Sequence, residues 1–188
     1  MLIPLLAVLS VSAAAGMRIA LPLLIIGLLQ TKLWSNVPLL SAIDPRVLLG
    51  ILTSWSLFEL IGSKKLLGQR ILQIVELIFS PLVGALLAMT VAKLTEIVLF
   101  TPLWLIGLIG GVLALVLKLV QVGWFFRLRG IPIWVVFLED ALCIALVLFA
   151  FRAPEQGGSI ALLLLWIAIR SSTEWQRWYR EKGKEMQN

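Results

Sequence analysis

Residues 99–126 read LFTPLWLIGLIGGVLALVLKLVQVGWFF, an apolar run with a single charged residue, Lys118. A helix needs about 20 apolar residues to cross the hydrocarbon core of a bilayer. This run is longer than that. It is also continuous, without the period-two alternation of a membrane β-barrel strand. With no water in the bilayer core, a spanning segment must pair its own backbone as a helix or close into a barrel. The stretch therefore reads as a transmembrane helix, with Pro102 near its start and Gly107, Gly110 and Gly111 inside it.

The same reading extends in both directions. Downstream, the basic turn Arg127-Leu128-Arg129-Gly130 leads to a span over 131–151. After a turn from Arg152 to Gly158, a further span begins at 159–170 and continues as helix into a polar tail. In that tail, Trp175, Trp178 and Tyr179 suit an interfacial belt. Upstream, residues 71–92 are apolar but contain Gln73, Glu76 and a central Ser80-Pro81, followed by a turn marked by Lys93 and Glu96. The residue before a proline is biased away from helix. The segment is thus either a sharply kinked span or a lead-in helix followed by a span from Pro81. Another span covers 47–62, ahead of the basic turn Ser63-Lys64-Lys65 with Gly68 and Arg70. Residues 31–46, with Lys32, Trp34, Asn36, Pro38, Asp44 and Pro45, read as an interfacial loop. The first stretch, 2–30, exceeds one crossing and is interrupted by Gly16 and Pro22, which predicts a kinked or broken helix. Its start lacks the basic region of a signal peptide and reads as a retained helix.

The expected fold is thus all-α, a polytopic transmembrane helical bundle of about six spans over residues 1–170, followed by a polar, basic cytoplasmic tail over 171–188. Composition agrees. Of the 188 residues, 61% are hydrophobic and 14% charged, against about 45–50% and about 25% in soluble domains. Mean hydropathy is +1.04. The net charge of +6 reads first as topology. Lys64, Lys65, Arg70, Arg127, Arg129 and the tail cations fall on one side, which places both termini in the cytoplasm.

Several functions are disfavoured. No basic stripe with interleaved aromatics is present, so nucleic acid is not an expected partner. There is no histidine to activate a serine or bind a metal. There is no phosphate-binding glycine loop, no metal-ligand spacing and no catalytic carboxylate pair outside the membrane. The chain is read as a non-enzyme without cofactor or metal. The single cysteine, Cys143, reads as a small buried hydrophobe. The expected partners are the lipid bilayer and either a second copy or other membrane proteins.

Charges at membrane depth carry the functional reading, because each costs at least ~2.5–3.5 kcal/mol at the bilayer centre. Arg18, Glu59, Glu76, Lys118, Glu139 and Asp140 fall in this class. Lys118 and Glu139 each lie about ten residues from the turn near 128, roughly 15 Å at 1.5 Å per residue. Antiparallel neighbours would bring them together. Arg18 and Glu59 lie at matched depths in the first hairpin, roughly 18 Å in. The expected polar midplane site is therefore Arg18, Glu59, Lys118, Glu139 and Asp140, for an ion, a proton or a small anionic solute. The plainer alternative is that these charges only fasten helices. Glu59→Gln and Glu139→Gln are expected to abolish transport while the protein still inserts.

Small residues recur at four-residue spacing in Ser12-Gly16-Ala20 and Ser80-Gly84-Ala88. Such stripes let helices approach closely in lipid. They predict that the first and third spans cross there, with unwound backbone at Gly16 and Pro81. Trp55…Phe58-Glu59 is echoed by Trp134…Phe137 and Glu139, which would suit a 3+3 inverted repeat.

The segments Ser12-Ala-Ala-Ala-Gly-Met-Arg-Ile-Ala-Leu-Pro-Leu-Leu24, Phe58-Glu59, Ser80-Pro-Leu-Val-Gly-Ala85, Gly111 to Lys118 and Leu138-Glu139-Asp140 occur in that order. Together they resemble the uncharacterised bacterial membrane family catalogued as domain of unknown function 4126, over roughly residues 5–170. The resemblance implies a multi-pass protein of the bacterial inner membrane and supplies no activity or ligand. Glu59, Glu139 and Asp140 match its polar positions; Arg18 departs from a residue often uncharged there. The function expected is a small secondary transporter or channel-like protein. The alternative is a non-catalytic scaffold or assembly factor that binds other membrane proteins.

Overall fold

The computed structural model describes residues 2–29, 44–62, 66–95, 102–128 and 132–185. These residues form seven helices and no strand: α1 (Leu2–Met17), α2 (Ala20–Leu29), α3 (Pro45–Gly62), α4 (Leu66–Leu94), α5 (Leu103–Leu128), α6 (Ile133–Arg152) and α7 (Pro154–Glu185). Most of the loop expected over 31–46, the turn residues 63–65 and 129–130, and Glu96 lie outside them, as do the tail side chains of Trp175, Trp178 and Tyr179.

The centre of the bundle is α1, which packs against α4, α5, α6 and α7. From Ala7 to Met17 every residue except Leu9 is buried. A helix enclosed on all sides has no polar face to offer, and here Ser10-Val-Ser-Ala-Ala-Ala-Gly supplies mostly small residues instead. Its hydroxyls stay within the bundle. Ser12 Oγ donates to Val8 O at 2.8 Å, and Ser10 Oγ donates to Leu146 O of α6 at 2.7 Å.

The two small-residue stripes do pack, but with α5 between their roles. A Cβ on Gly84 would lie 2.9 Å from Gly110 O, and one on Gly16 would lie 2.9 Å from Ala114 O. Backbone therefore meets backbone, as expected where small residues face each other in lipid. Ser80 sits where three helices meet and donates to Ala15 O at 3.2 Å and Ala114 O at 3.3 Å.

The first apolar stretch is broken, at Arg18-Ile19 and not at Gly16 or Pro22. Gly16 is ordinary helix packed on α5. Pro22 is in the first turn of α2, where its missing N–H has no intrahelical role. Nor is the backbone unwound at Pro81, because α4 runs continuously through it. Proline removes the bond to Leu77 O, yet close packing on α1 and α5 holds the helix on both sides. The start of α3 is conventional. Asp44 Oδ1 accepts from Arg46 N at 2.8 Å, with Pro45 at the first helical position.

The bundle is apolar on its outer surface as well as in its core. Ile71, Ile74, Ile78, Phe79 and Leu82 point outward from α4, while Gln69, Gln73, Glu76 and Ser80 point inward. Trp104, Trp134 and Trp166 are also exposed. Water would strongly disfavour this arrangement; lipid favours it. Gly68–Leu94, Leu103–Arg127 and Trp134–Arg152 are long and apolar enough to cross a membrane. At 16 and 10 residues, α1 and α2 are roughly 24 and 15 Å long, each short of the ~30 Å core.

Candidate functional site: a buried charge cluster at the end of the central helix

The site begins with the way α1 ends. The last four carbonyls of a helix have no intrahelical donor, and this end lies inside the protein. Ala14 O accepts from Arg18 N at 3.0 Å and from Cys143 Sγ at 3.6 Å. Ala15 O accepts from Ser80. Met17 O accepts from Lys118 Nζ at 3.4 Å. A helix C-terminus carries partial negative charge, which favours nearby cations. Lys118 and Arg18 fill that role from α5 and from the break itself.

Buried cations in turn require anions. Glu76 of α4 provides one oxygen to each. Its Oε1 lies 3.3 Å from Arg18 Nη1, and its Oε2 pairs with Lys118 Nζ. Arg18 Nε also donates to Asp140 Oδ1 of α6 at 2.7 Å. Lys118 completes its shell with Gln121 Oε1 at 3.2 Å. The result is a chain, Asp140–Arg18–Glu76–Lys118, that joins α6, the α1–α2 break, α4 and α5. Glu76 and Lys118 are each 1% exposed, so their pairing lies away from bulk solvent.

Two more carboxylates stand beside this chain. Glu59 of α3 is 2% exposed. Its Oε1 accepts from Trp55 Nε1 at 2.7 Å, while its Oε2 has no hydrogen-bond partner among the described residues. Glu139 of α6 is half-buried and enters no ion pair among them. Both are close enough to interact electrostatically with Arg18, and both with Lys118 and Glu76. Among the described residues that interact here, the carboxylates Glu59, Glu76, Glu139 and Asp140 outnumber the cations Arg18 and Lys118 four to two.

The expected site residues Arg18, Glu59, Lys118, Glu139 and Asp140 are thus brought to one neighbourhood, with different pairings. Lys118 pairs with Glu76, not Glu139, because α5 packs mainly on α4, α1 and α7, and α1 separates it from α6. Arg18 pairs with Glu76 and Asp140, not Glu59, because α3 packs chiefly on α2. The residue missing from the expected set is Glu76, which pairs with both Arg18 and Lys118. Its signal was available: Glu76 lies four residues before Ser80, on the face of the Ser80-Gly84-Ala88 stripe. Trp55 and Trp134, which echo each other in sequence, differ in setting; the first is half-buried beside Glu59 and the second exposed. The described residues contain no group of three or more acidic or thiol side chains placed to hold a metal ion.

The family described as Domain of unknown function (DUF4126) matches residues 5–174. No curated protein and no solved structure matches the chain.

Proposed function

The chain belongs to the DUF4126 family, and from that premise we propose that it is a small transporter or channel-like protein that moves a proton or small monovalent cation through the cluster at the end of α1. One observation carries this reading: among the described residues the cluster holds two more carboxylates than cations, and one of them, Glu59, keeps a buried oxygen without a partner there. Charges that served only to fasten helices would balance, since each surplus ion costs several kcal/mol to desolvate. Hydrophobic residues of similar volume would fasten the helices as well or better. A surplus of carboxylates is instead completed by two positive equivalents, protons or cations, which makes anionic solutes poor candidates.

In this reading the chain crosses the bacterial inner membrane six times, with α1 and α2 together as the first crossing. The face carrying Lys64, Lys65, Arg70 and Arg127 is cytoplasmic, with both termini on that side. Broken helices that expose backbone ends to an ion are a recurrent device of secondary transporters. The test is reconstitution into vesicles with entrapped proton- and cation-sensitive dyes. Wild-type protein is expected to raise flux above empty vesicles. Glu59→Gln and Glu139→Gln, which leave the Asp140–Arg18–Glu76–Lys118 chain intact, are expected to abolish flux without loss of insertion. Wild-type flux in both variants defeats the reading.

A second reading, a scaffold for other membrane proteins, draws on the shallow groove between α4 and α5. Ala85, Gly107 and Gly111 form its floor, with Leu82 and Trp104 at its rim. A partner's transmembrane helix would fit such a surface. Crosslinking from a photoreactive residue at Leu82 tests it; capture of lipid alone counts against it.

A further inference from the structure

The ion cluster is closed on one side and polar on the other. Toward the N-terminus of α1 the route is blocked. Gly84, Gly110, Ala114 and Gly16 meet with backbone contacts that a single added Cβ would bring to 2.9 Å. Toward the opposite end, α1 has stopped at Met17, and α2 packs on α3 and α6 instead. There the antiparallel register of α4 and α5 continues. It pairs Ser80 with Ala114 and Glu76 with Lys118. One turn further it sets Gln73 against Gln121. Gln69 follows on the same face of α4, where the register places it opposite the buried ring of Phe125. Gln69 and Gln73 are each buried to 8% exposure, in a helix whose outer face is isoleucine and phenylalanine. Gln73 Oε1 is buried without a hydrogen-bond partner among the described residues. Leaving such an acceptor dry costs about 1–3 kcal/mol, whereas ordered water or a cation would satisfy it.

We propose that Gln69, Gln73 and Gln121 line a one-sided aqueous passage leading from the face where α4 begins and α5 ends to the Glu76–Lys118 pair, and that it admits water and small monovalent cations. Amides suit this task because they donate and accept without adding charge. The surplus of negative charge at the inner end selects cations over anions, as a charged low-dielectric cleft does. What the passage carries rests on the transport reading above; its existence does not.

The test is cysteine scanning in a Cys143→Ala background, which removes the chain's single thiol. Gln69→Cys, Gln73→Cys and Gln121→Cys are exposed to membrane-impermeant methanethiosulfonates, one cationic and one anionic, added to either side of oriented vesicles. The lipid-facing control is Ile74→Cys. Labelling is expected from one face only, faster at position 69 than at 73. The cationic reagent is expected to react at least about ten-fold faster than the anionic one at position 73, after correction for their rates with a free thiol. Adding Glu76→Gln is expected to reduce that preference. The three positions report independently, so one misfolded variant, identified by its size-exclusion profile, does not remove the test. Reaction at position 73 no faster than at 74, equal reaction from both faces, or no charge preference overturns the proposal. Labelling is read without flux. The expected pattern in a protein that transports nothing removes the transport reading and leaves the passage; flux with an unreactive Gln73→Cys does the reverse.

Discussion

Replacing Glu76 by glutamine removes the one carboxylate that two buried cations share. Breaking a buried ion pair by deleting one partner costs about 3–5 kcal/mol, because the remaining charge is left uncompensated. Here the two cations differ in what they keep. Arg18 retains Asp140 at 2.7 Å. Lys118 retains only neutral acceptors, Met17 O and Gln121 Oε1, so most of the penalty falls on it. Lys118→Met alone is costly for the opposite reason, since it leaves the buried Glu76 with only Arg18 at 3.3 Å. The double variant Glu76→Gln with Lys118→Met removes both charges at nearly constant volume. Its stability is expected to return to within about 1 kcal/mol of wild type, because replacing a buried pair is often neutral or stabilising. With each single loss at about 3–5 kcal/mol, the coupling energy of the cycle is then at least about 5 kcal/mol, beyond the usual range of about 0.5–3 kcal/mol for contacting residues. The assay is reversible unfolding in mixed micelles with increasing dodecyl sulfate, followed by far-ultraviolet circular dichroism, on all four proteins. If the two single losses simply add in the double variant, Lys118 and Glu76 are not energetic partners.

Three further outcomes follow from the packing. Gly110→Leu is expected to prevent recovery of monodisperse protein, because even a Cβ there would lie 2.6 Å from Ser12 Oγ and 2.9 Å from Gly84 O, whereas Gly50→Leu, with nothing within 4 Å, is expected to extract normally on size exclusion. Ser80→Ala is expected to lower stability by about 0.6–1.7 kcal/mol in the same unfolding assay, the range of single interhelical hydrogen bonds in membranes. Pro81→Ala is expected to keep or raise stability, by at most about 3 kcal/mol, since it returns a donor to Leu77 O in a helix that is already continuous; a loss would mean that the ring itself packs against α5.

Much of the fold could be read from the chain because lipid makes the backbone problem local. A run such as 103–127 must be a helix whatever surrounds it, and its length decides that it can span. The break in the first stretch was foreseeable, but its cause was not. Gly16 and Pro22 have weak intrinsic helix propensity, yet both are accommodated. The chain turns at Arg18, whose guanidinium meets Glu76 and Asp140. Those contacts depend on two helices far away in sequence. The cluster was legible in the same partial way. Matched depth brought Arg18, Glu59, Lys118 and Glu139 together because depth follows from chain position alone. Pairing each cation with its neighbour in the chain failed because α1 lies in the middle of the bundle and separates α5 from α6. Nothing local distinguishes a central helix from a peripheral one, apart from its small residues. Ser10 to Gly16 carry that signal, whereas the spacing of Ser12, Gly16 and Ala20 alone points to one packing partner, not four.

The placement of the site follows from that central helix. Surrounding α1 with four helices requires small side chains, and a helix of 16 residues ends before it has crossed. Its unpaired carbonyls are therefore buried, and Lys118 meets the last of them, Met17 O. Cations in a low-dielectric interior need carboxylates, and Glu76 and Asp140 supply two charges for Arg18 and Lys118. At that point the architecture is electrically complete. Glu59 and Glu139 lie beyond what the fold requires, one on a helix that packs mainly against α2 and the other outside the ion-pair chain. Each adds desolvation cost without closing a pair. Those two carboxylates are what the proposed transport rests on, since protons on them or cations beside them would supply the two missing positive equivalents.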